Sequence, residues 1–416
     1  MKNIRILIVS NPLTAIFMNA RLSEVESEGN DTETIIFYEE RLLDSGYSEN
    51  STKREEENKQ YALSLFKNKY KIFYPTEIYY RNSTFLNLLK NHKNIKQEQL
   101  DNQLKLKLFI NESKLSSENI VEIWHGNTQW HKYLKLFFPS AATFKFDHGL
   151  TETLMYFEDS KKTLPHCIYS KLNLRKIFNY LGGLYFVTPP IDTKPNAHFT
   201  LNSREINAAL GYEITKPISP NGVQSITSFS LKKNIDFGEG ASLAIVLLDN
   251  IKPWAKLNSD HAEYFNDFES MLLSNCTNNL VEKGIKTIVF KPKHWQEEFA
   301  QDAIKSFDRL GKLFELKYFP DFFENLPLEY FLESLRPKII IGNLSSGLYY
   351  AKHLLPKVET YTYDNWFVDY TMRKFGTTFP DFEIMRPILY GSQAKYFENI
   401  NPVNISQCKE SILNDE

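Results

Sequence analysis

Two adjacent serines, Ser345 and Ser346, follow a run of β-branched residues and a Gly-Asn pair in the sequence IIIGNLSSGL of residues 339–348. This pattern predicts a buried parallel strand that turns into the first turn of a helix. The first N–H groups of a helix lack partners within it and carry the positive end of its dipole, so such a corner favours a phosphate group. We interpret Ser345, Ser346 and Gly342 as phosphate-binding candidates; the alternative is that a serine only caps the helix.

An aspartate stands where another predicted strand ends, in the sequence FKFDHGLT of residues 144–151. A carboxylate at this place can project into a ligand-binding cleft, where Asp147 would act as a general base. His148 could orient it or replace it. The alternative is a turn-forming aspartate, because Asp before Gly is common in turns.

A basic cluster follows a third predicted strand, in the sequence TIVFKPKHW of residues 287–295. Lys291, Lys293 and His294 would lie at the carboxyl end of that strand. Two cations and an imidazole can neutralise or protonate a leaving phosphate. The alternative is an exposed basic loop.

Composition limits the classes of protein that the chain can represent. Its 416 residues exceed the usual size of one hydrophobic core, which predicts two domains. The net charge of −2, from 49 basic and 51 acidic residues, argues against a general nucleic-acid binder. Three widely separated cysteines give neither a disulfide framework nor a metal-binding spacing, which fits a reducing compartment.

The amino terminus and the hydropathy pattern indicate a cytoplasmic protein. The first apolar run stops at Asn11-Pro12, which is too early for a signal peptide, so we expect a first strand there. No run approaches 18 consecutive apolar residues, so we expect no membrane span.

Strand and helix patterns alternate along the chain, which predicts an α/β fold with two doubly wound, Rossmann-like domains that face a central cleft. We expect the domains at 1–235 and 240–390, a hinge within 233–241 and a tail at 391–416. In the first half we predict strands at 4–10, 34–38, 71–74 and 120–124 and a helix at 52–69, with an amphipathic helix or mobile insertion at 91–114. In the second half we predict strands at 242–248, 287–291, 314–318 and 338–341 and helices at 259–283 and 296–310.

Taken in order, the three motifs resemble those of bacterial sialyltransferases with the GT-B fold, in particular the capsular polysialyltransferase and lipooligosaccharide sialyltransferase families. The resemblance implies that Asp147 deprotonates the acceptor, that His294 supports departure of CMP, and that Ser345 and Ser346 hold the donor phosphate. It also implies that Glu329 lies near the nucleotide; the alternative for this acid is to complement a helix dipole.

The sequence departs from the family pattern at two positions. His148 stands where the family has a second acidic residue, and Trp295 follows His294 where the family has proline. These differences are compatible with a different donor sugar. The altered His-Trp motif also motivates an alternative in which the chain is a non-catalytic, glycan- or nucleotide-binding subunit of a polysaccharide assembly complex.

The resemblance implies an inverting transferase that moves a nonulosonic acid (sialic, pseudaminic or legionaminic acid) from a CMP-sugar donor to a glycan acceptor of a bacterial capsule or lipooligosaccharide. No cofactor and no metal are expected, since the leaving group is a nucleoside monophosphate and no D-x-D spacing lies near the candidate strand ends. The alternative within the enzyme class is another CMP or CDP donor, such as Kdo or a polyol phosphate.

Three further residues are candidate acceptor or sugar contacts. His125 and Asn127 lie in the sequence IWHGNT of residues 123–128, where a predicted strand ends in His-Gly, and His148 follows the candidate base. The alternative for His125 is a packed histidine at a turn. The stretch 170–186 predicts either a peripheral contact with an anionic membrane, where capsule is assembled, or an amphipathic helix on the core.

Overall fold

The computed structural model describes residues 2–29, 32–43, 49–66, 70–79, 85–126, 130–147, 194–201, 213–230, 237–248, 258–292, 304–305, 307–319, 326–343, 345–375 and 395–396. The chain divides into two compact units, unit 1 (Met1–Ile226) and unit 2 (Thr227–Glu416).

Unit 1 is built on a parallel sheet of seven strands. These are β1 (Ile4–Val9), β2 (Glu33–Tyr38), β4 (Lys71–Phe73), β6 (Ile120–His125), β7 (Ala142–Phe146), β8 (Ala197–Thr200) and β9 (Thr215–Pro217). They lie in the order β4-β2-β1-β6-β7-β8-β9. Two further strands, β3 (Glu40–Leu43) and β5 (Thr76–Tyr79), form a separate parallel pair.

Helices of unit 1 cover this sheet because its central strands are apolar on both faces. They are α1 (Pro12–Ser27), α2 (Glu49–Ser64), α3 (Phe85–Glu112), α4 (Trp130–Phe137) and α5 (Pro220–Ser230), the last of which crosses the boundary between the units. One core cluster joins Ile6 and Ile8 of β1 to Leu106 of α3 and Leu134 of α4. All six residues of β1 are buried.

Unit 2 is built on a second parallel sheet, of six strands. These are β10 (Leu243–Leu247), β11 (Thr287–Lys291), β12 (Glu315–Tyr318), β13 (Ile339–Gly342), β14 (Glu359–Thr362) and β15 (Lys395–Tyr396). Their order, β12-β11-β10-β13-β14-β15, is the order 3-2-1-4-5-6 of a dinucleotide-binding fold when the strands are counted from β10.

Helices and turns connect the strands of unit 2. The helices are α6 (Asn258–Asn275), α7 (Thr277–Glu282), α8 (Asp308–Gly311), α9 (Leu332–Leu335), α10 (Ser346–Leu354) and α11 (Asp364–Phe375). Two 3₁₀ turns span Gly240–Ser242 and Leu328–Tyr330. Among the described helices, none combines the length and the hydropathy that a transmembrane span requires.

The predicted fold class is confirmed, because both units are α/β and each rests on a parallel sheet with helical crossovers. The prediction of a single helix at 259–283 is wrong, because the chain turns at Cys276, which separates α6 from α7. The helix predicted at 91–114 begins earlier, at Phe85. Strand β15 lies within the stretch interpreted as a tail and pairs with β14. The cleft between the domains stays a prediction.

Candidate functional site

The carboxyl edge of the unit 1 sheet gathers polar side chains from three neighbouring strands. The strand registers pair His125 of β6 with Lys145 of β7, and Lys145 with His198 of β8. Asp147 follows β7, and Thr200 ends β8. Because side chains alternate along a strand, Asp147 shares a face with Lys145 and Thr200 shares one with His198. A carboxylate, an ammonium, a hydroxyl and two imidazoles therefore lie on one face of this edge.

Asp147 is held in place by hydrogen bonds to one of its two oxygens. Its Oδ2 accepts a hydrogen bond of 2.6 Å from Thr200 Oγ1 and one of 3.2 Å from the backbone N–H of Leu201. Both of these bonds reach the same oxygen, Oδ2. Asp147 is therefore held in a fixed orientation through Oδ2, and these two bonds do not involve Oδ1.

Burial also makes Asp147 a stronger base than an exposed aspartate. It raises the pKa of the Asp147 carboxyl to about 6, while the hydrogen bonds from Thr200 and Leu201 and the charge of Lys145 oppose the rise. The group is still mostly ionised at pH 7, which suits a general base.

His125 is a buried, neutral imidazole. Its ring stacks on His131 of α4, with ring centroids 3.8 Å apart, and its Nδ1 lies 2.8 Å from the carbonyl oxygen of Gly126. Burial lowers the pKa of His125 well below its usual value, and the charges of His131 and Lys145 lower it further. Since a carbonyl only accepts, Nδ1 carries the proton and Nε2 presents a lone pair.

His125 is a packed histidine, as the alternative interpretation expects, and Nδ1 is the ring nitrogen whose hydrogen bond the structure shows. The side chain is 2% exposed, and Nε2 is buried without a hydrogen-bond partner among the residues that the structure describes.

Unit 2 places Lys291 and Glu329 in a shared buried environment. Lys291 ends β11, and its Nζ lies 5.4 Å from the ring centroid of Phe319 and 5.9 Å from that of Phe331. Glu329 lies in the turn Leu328–Tyr330. Burial raises the pKa of Glu329 to about 7, while its own backbone N–H and the charge of Lys291 oppose the rise. Glu329 is thus partly protonated near neutral pH.

The two serines of unit 2 have different local roles. Ser345 caps α10: its backbone is extended and its Oγ accepts a hydrogen bond of 3.2 Å from the N–H of Gly347. Ser345 therefore caps the helix, as the alternative interpretation of the serines expects. Ser346 is the first residue of α10 and is half-buried. Its hydroxyl lies at the positive end of the helix, where an anion is favoured.

Gly342 lies where the crossovers of the unit 2 sheet diverge. Strand β10 continues to β11 on one side and β13 continues to β14 on the other, and ligands of α/β sheets bind at this switch point. A Cβ at Gly342 would lie 3.2 Å from both Cβ and Cδ1 of Leu247, so glycine permits the close approach of the two strands. The next residue, Asn343, is buried, and its Oδ1 has no hydrogen-bond partner among the described residues.

Two pairs of the predicted residues are thus placed in the same part of a unit: His125 and Asp147 lie at the ends of neighbouring strands of unit 1, and Lys291 and Glu329 interact electrostatically in unit 2. Gly342, Ser345 and Ser346 form the switch-point corner of unit 2. His148, Asn127 and His294 lie outside the described residues, as does the stretch 170–186, so their roles stay predictions. Across the described residues, no group of three or more His, Cys, Asp or Glu side chains is placed to hold a metal ion.

Sequence reasoning missed several residues of these sites. His198 and Thr200 join the unit 1 site only through strand pairing, and no local pattern indicates them. Lys145 had a local signal, since it lies on β7 two residues before Asp147 and therefore on the same face. Asn343 had a visible signal, since it follows a buried strand directly within the Gly-Asn pair.

Comparison with known proteins finds only distant similarity to solved structures. No family model matches the chain, and no curated protein matches it. Among solved structures it is similar to an α/β-galactoside α-2,3-sialyltransferase from the luminous marine bacterium Photobacterium phosphoreum, with 12% identity, a TM-score of 0.46 and coverage of 96% of this chain and 99% of that chain. It is also similar to the GT-B domain of a sialyltransferase from Photobacterium damselae, with 11% identity, a TM-score of 0.47 and coverage of 95% and 100%.

A third similar structure is a UDP-N-acetylglucosamine 2-epimerase, with 12% identity, a TM-score of 0.47 and coverage of 100% of this chain and 88% of that chain. Likenesses this distant do not assign an activity.

Proposed function

We propose that the chain is an inverting GT-B glycosyltransferase that transfers a nonulosonic acid, such as sialic, pseudaminic or legionaminic acid, from its CMP-sugar to a hydroxyl of a bacterial capsule or lipooligosaccharide glycan. It would act in the cytoplasm or on the inner face of the membrane, without a metal. The single observation that carries the proposal is the geometry of Asp147, and the order of the sequence motifs supports it.

Asp147 has the properties that the acceptor step requires. One oxygen is fixed by Thr200 and Leu201, and the other would take the proton of an acceptor hydroxyl as that hydroxyl attacks the anomeric carbon. Loss of the proton and departure of the phosphate develop together in an oxocarbenium-like transition state. A base with a pKa of about 6 keeps its ionised form at neutral pH while accepting a proton more readily than an ordinary aspartate.

Unit 2 supplies groups suited to the donor. The amino-terminal N–H groups of α10 and the hydroxyl of Ser346 would receive the phosphate of CMP, and Lys291 would offset its growing charge. We propose that His294 assists the departure of CMP, as the family resemblance implies.

Calorimetric titration of the purified protein with CMP, CDP, UMP and UDP in EDTA tests the donor class. Selective binding of CMP supports the proposal and directs a transfer assay with CMP-activated nonulosonic acids. Tighter binding of CDP than of CMP would favour a polyol phosphate donor, while preference for UDP or no binding would contradict the proposal.

A further inference from the structure

At a second switch point, in unit 1, two buried polar atoms have no partner among the residues that the structure describes. Strand β1 continues to β2 on one side and β6 to β7 on the other, so the crevice between β1 and β6 is where such a sheet binds ligands. Ser10 follows β1 and is 3% exposed; His125 ends β6 and is 2% exposed. Neither Ser10 Oγ nor His125 Nε2 finds a hydrogen-bond partner in the part of the chain that the structure describes.

Unpaired buried polar atoms are uncommon because each one loses its bonds to water on folding and gains none in return. Two such atoms at one binding crevice therefore indicate a ligand that supplies the missing bonds.

The strand register places the two side chains within reach of one small ligand. Ile8 of β1 pairs with His125 of β6, and Ser10 lies two residues beyond Ile8. With a strand spacing of about 4.8 Å and a rise of about 3.3 Å per residue, the Cα atoms of Ser10 and His125 are about 8 Å apart. The alternation of side chains puts both on the same face.

The hydrogen-bonding types of the two atoms select the ligand. Because Nδ1–H of His125 is used by the carbonyl of Gly126, Nε2 can only accept, and the ligand must bring a donor. The hydroxyl of Ser10 can donate or accept. An ionised carboxylate has no proton to give and would face the lone pair of Nε2. A hydroxyl group satisfies both atoms.

We propose that Ser10 and His125 form a subsite that binds the hydroxyl groups of an uncharged sugar. Strand β6 lies beside β7, and Asp147 follows β7, so the sugar bound there is the acceptor of the transfer. The role as acceptor rests on the proposed function, whereas the subsite itself does not.

The variant Ser10→Ala tests the subsite against a matched control, Ser116→Ala. Ser116 Oγ is also buried without a partner among the described residues, but Ser116 lies before β6, at the opposite edge of the sheet. Each protein is titrated, without nucleotide, with methyl β-glucoside, methyl β-galactoside and methyl N-acetyl-β-glucosaminide by ligand-observed NMR. The Tm of each unliganded protein is measured in parallel.

We expect at least one uncharged glycoside to bind and Ser10→Ala to weaken its binding about tenfold. Both alanine variants should keep or raise the Tm of the unliganded protein, by about 2–4 °C, because each removes an unpaired buried hydroxyl. Ser116→Ala should leave glycoside binding unchanged. His125→Phe, which keeps a ring against His131, should weaken binding as Ser10→Ala does.

The proposal is overturned if no uncharged glycoside binds or if both site variants keep the original affinity. A lower Tm for Ser10→Ala would show a structural role instead. A protein that binds the glycoside in this assay but transfers nothing from any CMP-sugar would refute the proposed function and leave the subsite standing.

Discussion

The hydroxyl of Thr200 donates a hydrogen bond of 2.6 Å to Oδ2 of Asp147, although the two residues are 53 positions apart in the chain. They meet because β7 and β8 pair in parallel, with Phe146 opposite Phe199. The bond orients the carboxylate and opposes the rise of its pKa that burial causes.

Replacing Thr200 with valine should therefore shift the pH dependence of transfer. Thr200→Val removes a donor to the ionised form, so the pKa of Asp147 should rise above about 6, by about 0.5–1 unit. The acidic limb of the kcat/KM profile should move up by the same amount, with little change at pH 8.5. Thr143→Val, in the same sheet, is the control. A limb that stays in place or moves down would contradict the role of Thr200.

Glu329→Gln should stabilise the protein at alkaline pH. Since the folded-state pKa of Glu329 is about 7 and its ordinary value is 4.5, the folded state binds this proton more tightly. The stability linked to this proton is present below pH 4.5 and is lost as the pH rises to about 7. The rise of the Glu329 pKa from 4.5 to about 7 sets an upper limit of about 3 kcal/mol for the free energy of unfolding that Glu329→Gln gains at pH 8. At pH 4.5 the substitution should change the stability little.

Denaturant unfolding at both pH values measures this difference, with Glu333→Gln, on the neighbouring α9, as the control. An equal effect of Glu329→Gln at the two pH values would show that Glu329 does not titrate in this range.

Alanine substitutions of the two serines at the start of α10 should have different effects, one on stability and the other on CMP binding. Ser345→Ala removes the cap on the N–H of Gly347 and should cost about 1 kcal/mol of stability. Ser346→Ala leaves that cap in place, so stability should hold while CMP affinity falls about tenfold. Unfolding and calorimetry on both variants check this, and unchanged CMP affinity in Ser346→Ala would remove its hydroxyl from the phosphate site.

The central strands of both sheets could be predicted from the sequence because buried parallel strands consist of continuous apolar runs. Strands β1, β10 and β13 are of this kind, and all of their residues are buried. Strands β9 (TKP) and β15 (KY) are short and polar, and they belong to the sheets only through pairing with a neighbour. No local pattern could reveal them.

The residues of the candidate site also differ in whether a local sequence pattern could predict them. Asp147 was predictable because an acidic residue between an apolar strand and a glycine marks a strand end. Thr200, which orients the carboxylate, reaches it through the pairing of β7 with β8. Lys145, whose charge opposes the rise in pKa that burial causes, lies on β7 two residues before Asp147. The pairing of strands distant in sequence cannot be deduced from either segment alone.

The rate of transfer by Asp147→Asn, measured beside its affinity for CMP, tests the central claim most directly. Asparagine preserves the size of the side chain but cannot accept the acceptor's proton. We predict that turnover with a CMP-activated nonulosonic acid falls by about 10²–10⁴-fold while the Kd for CMP is unchanged. Turnover equal to that of the unaltered protein would show that Asp147 is not the base.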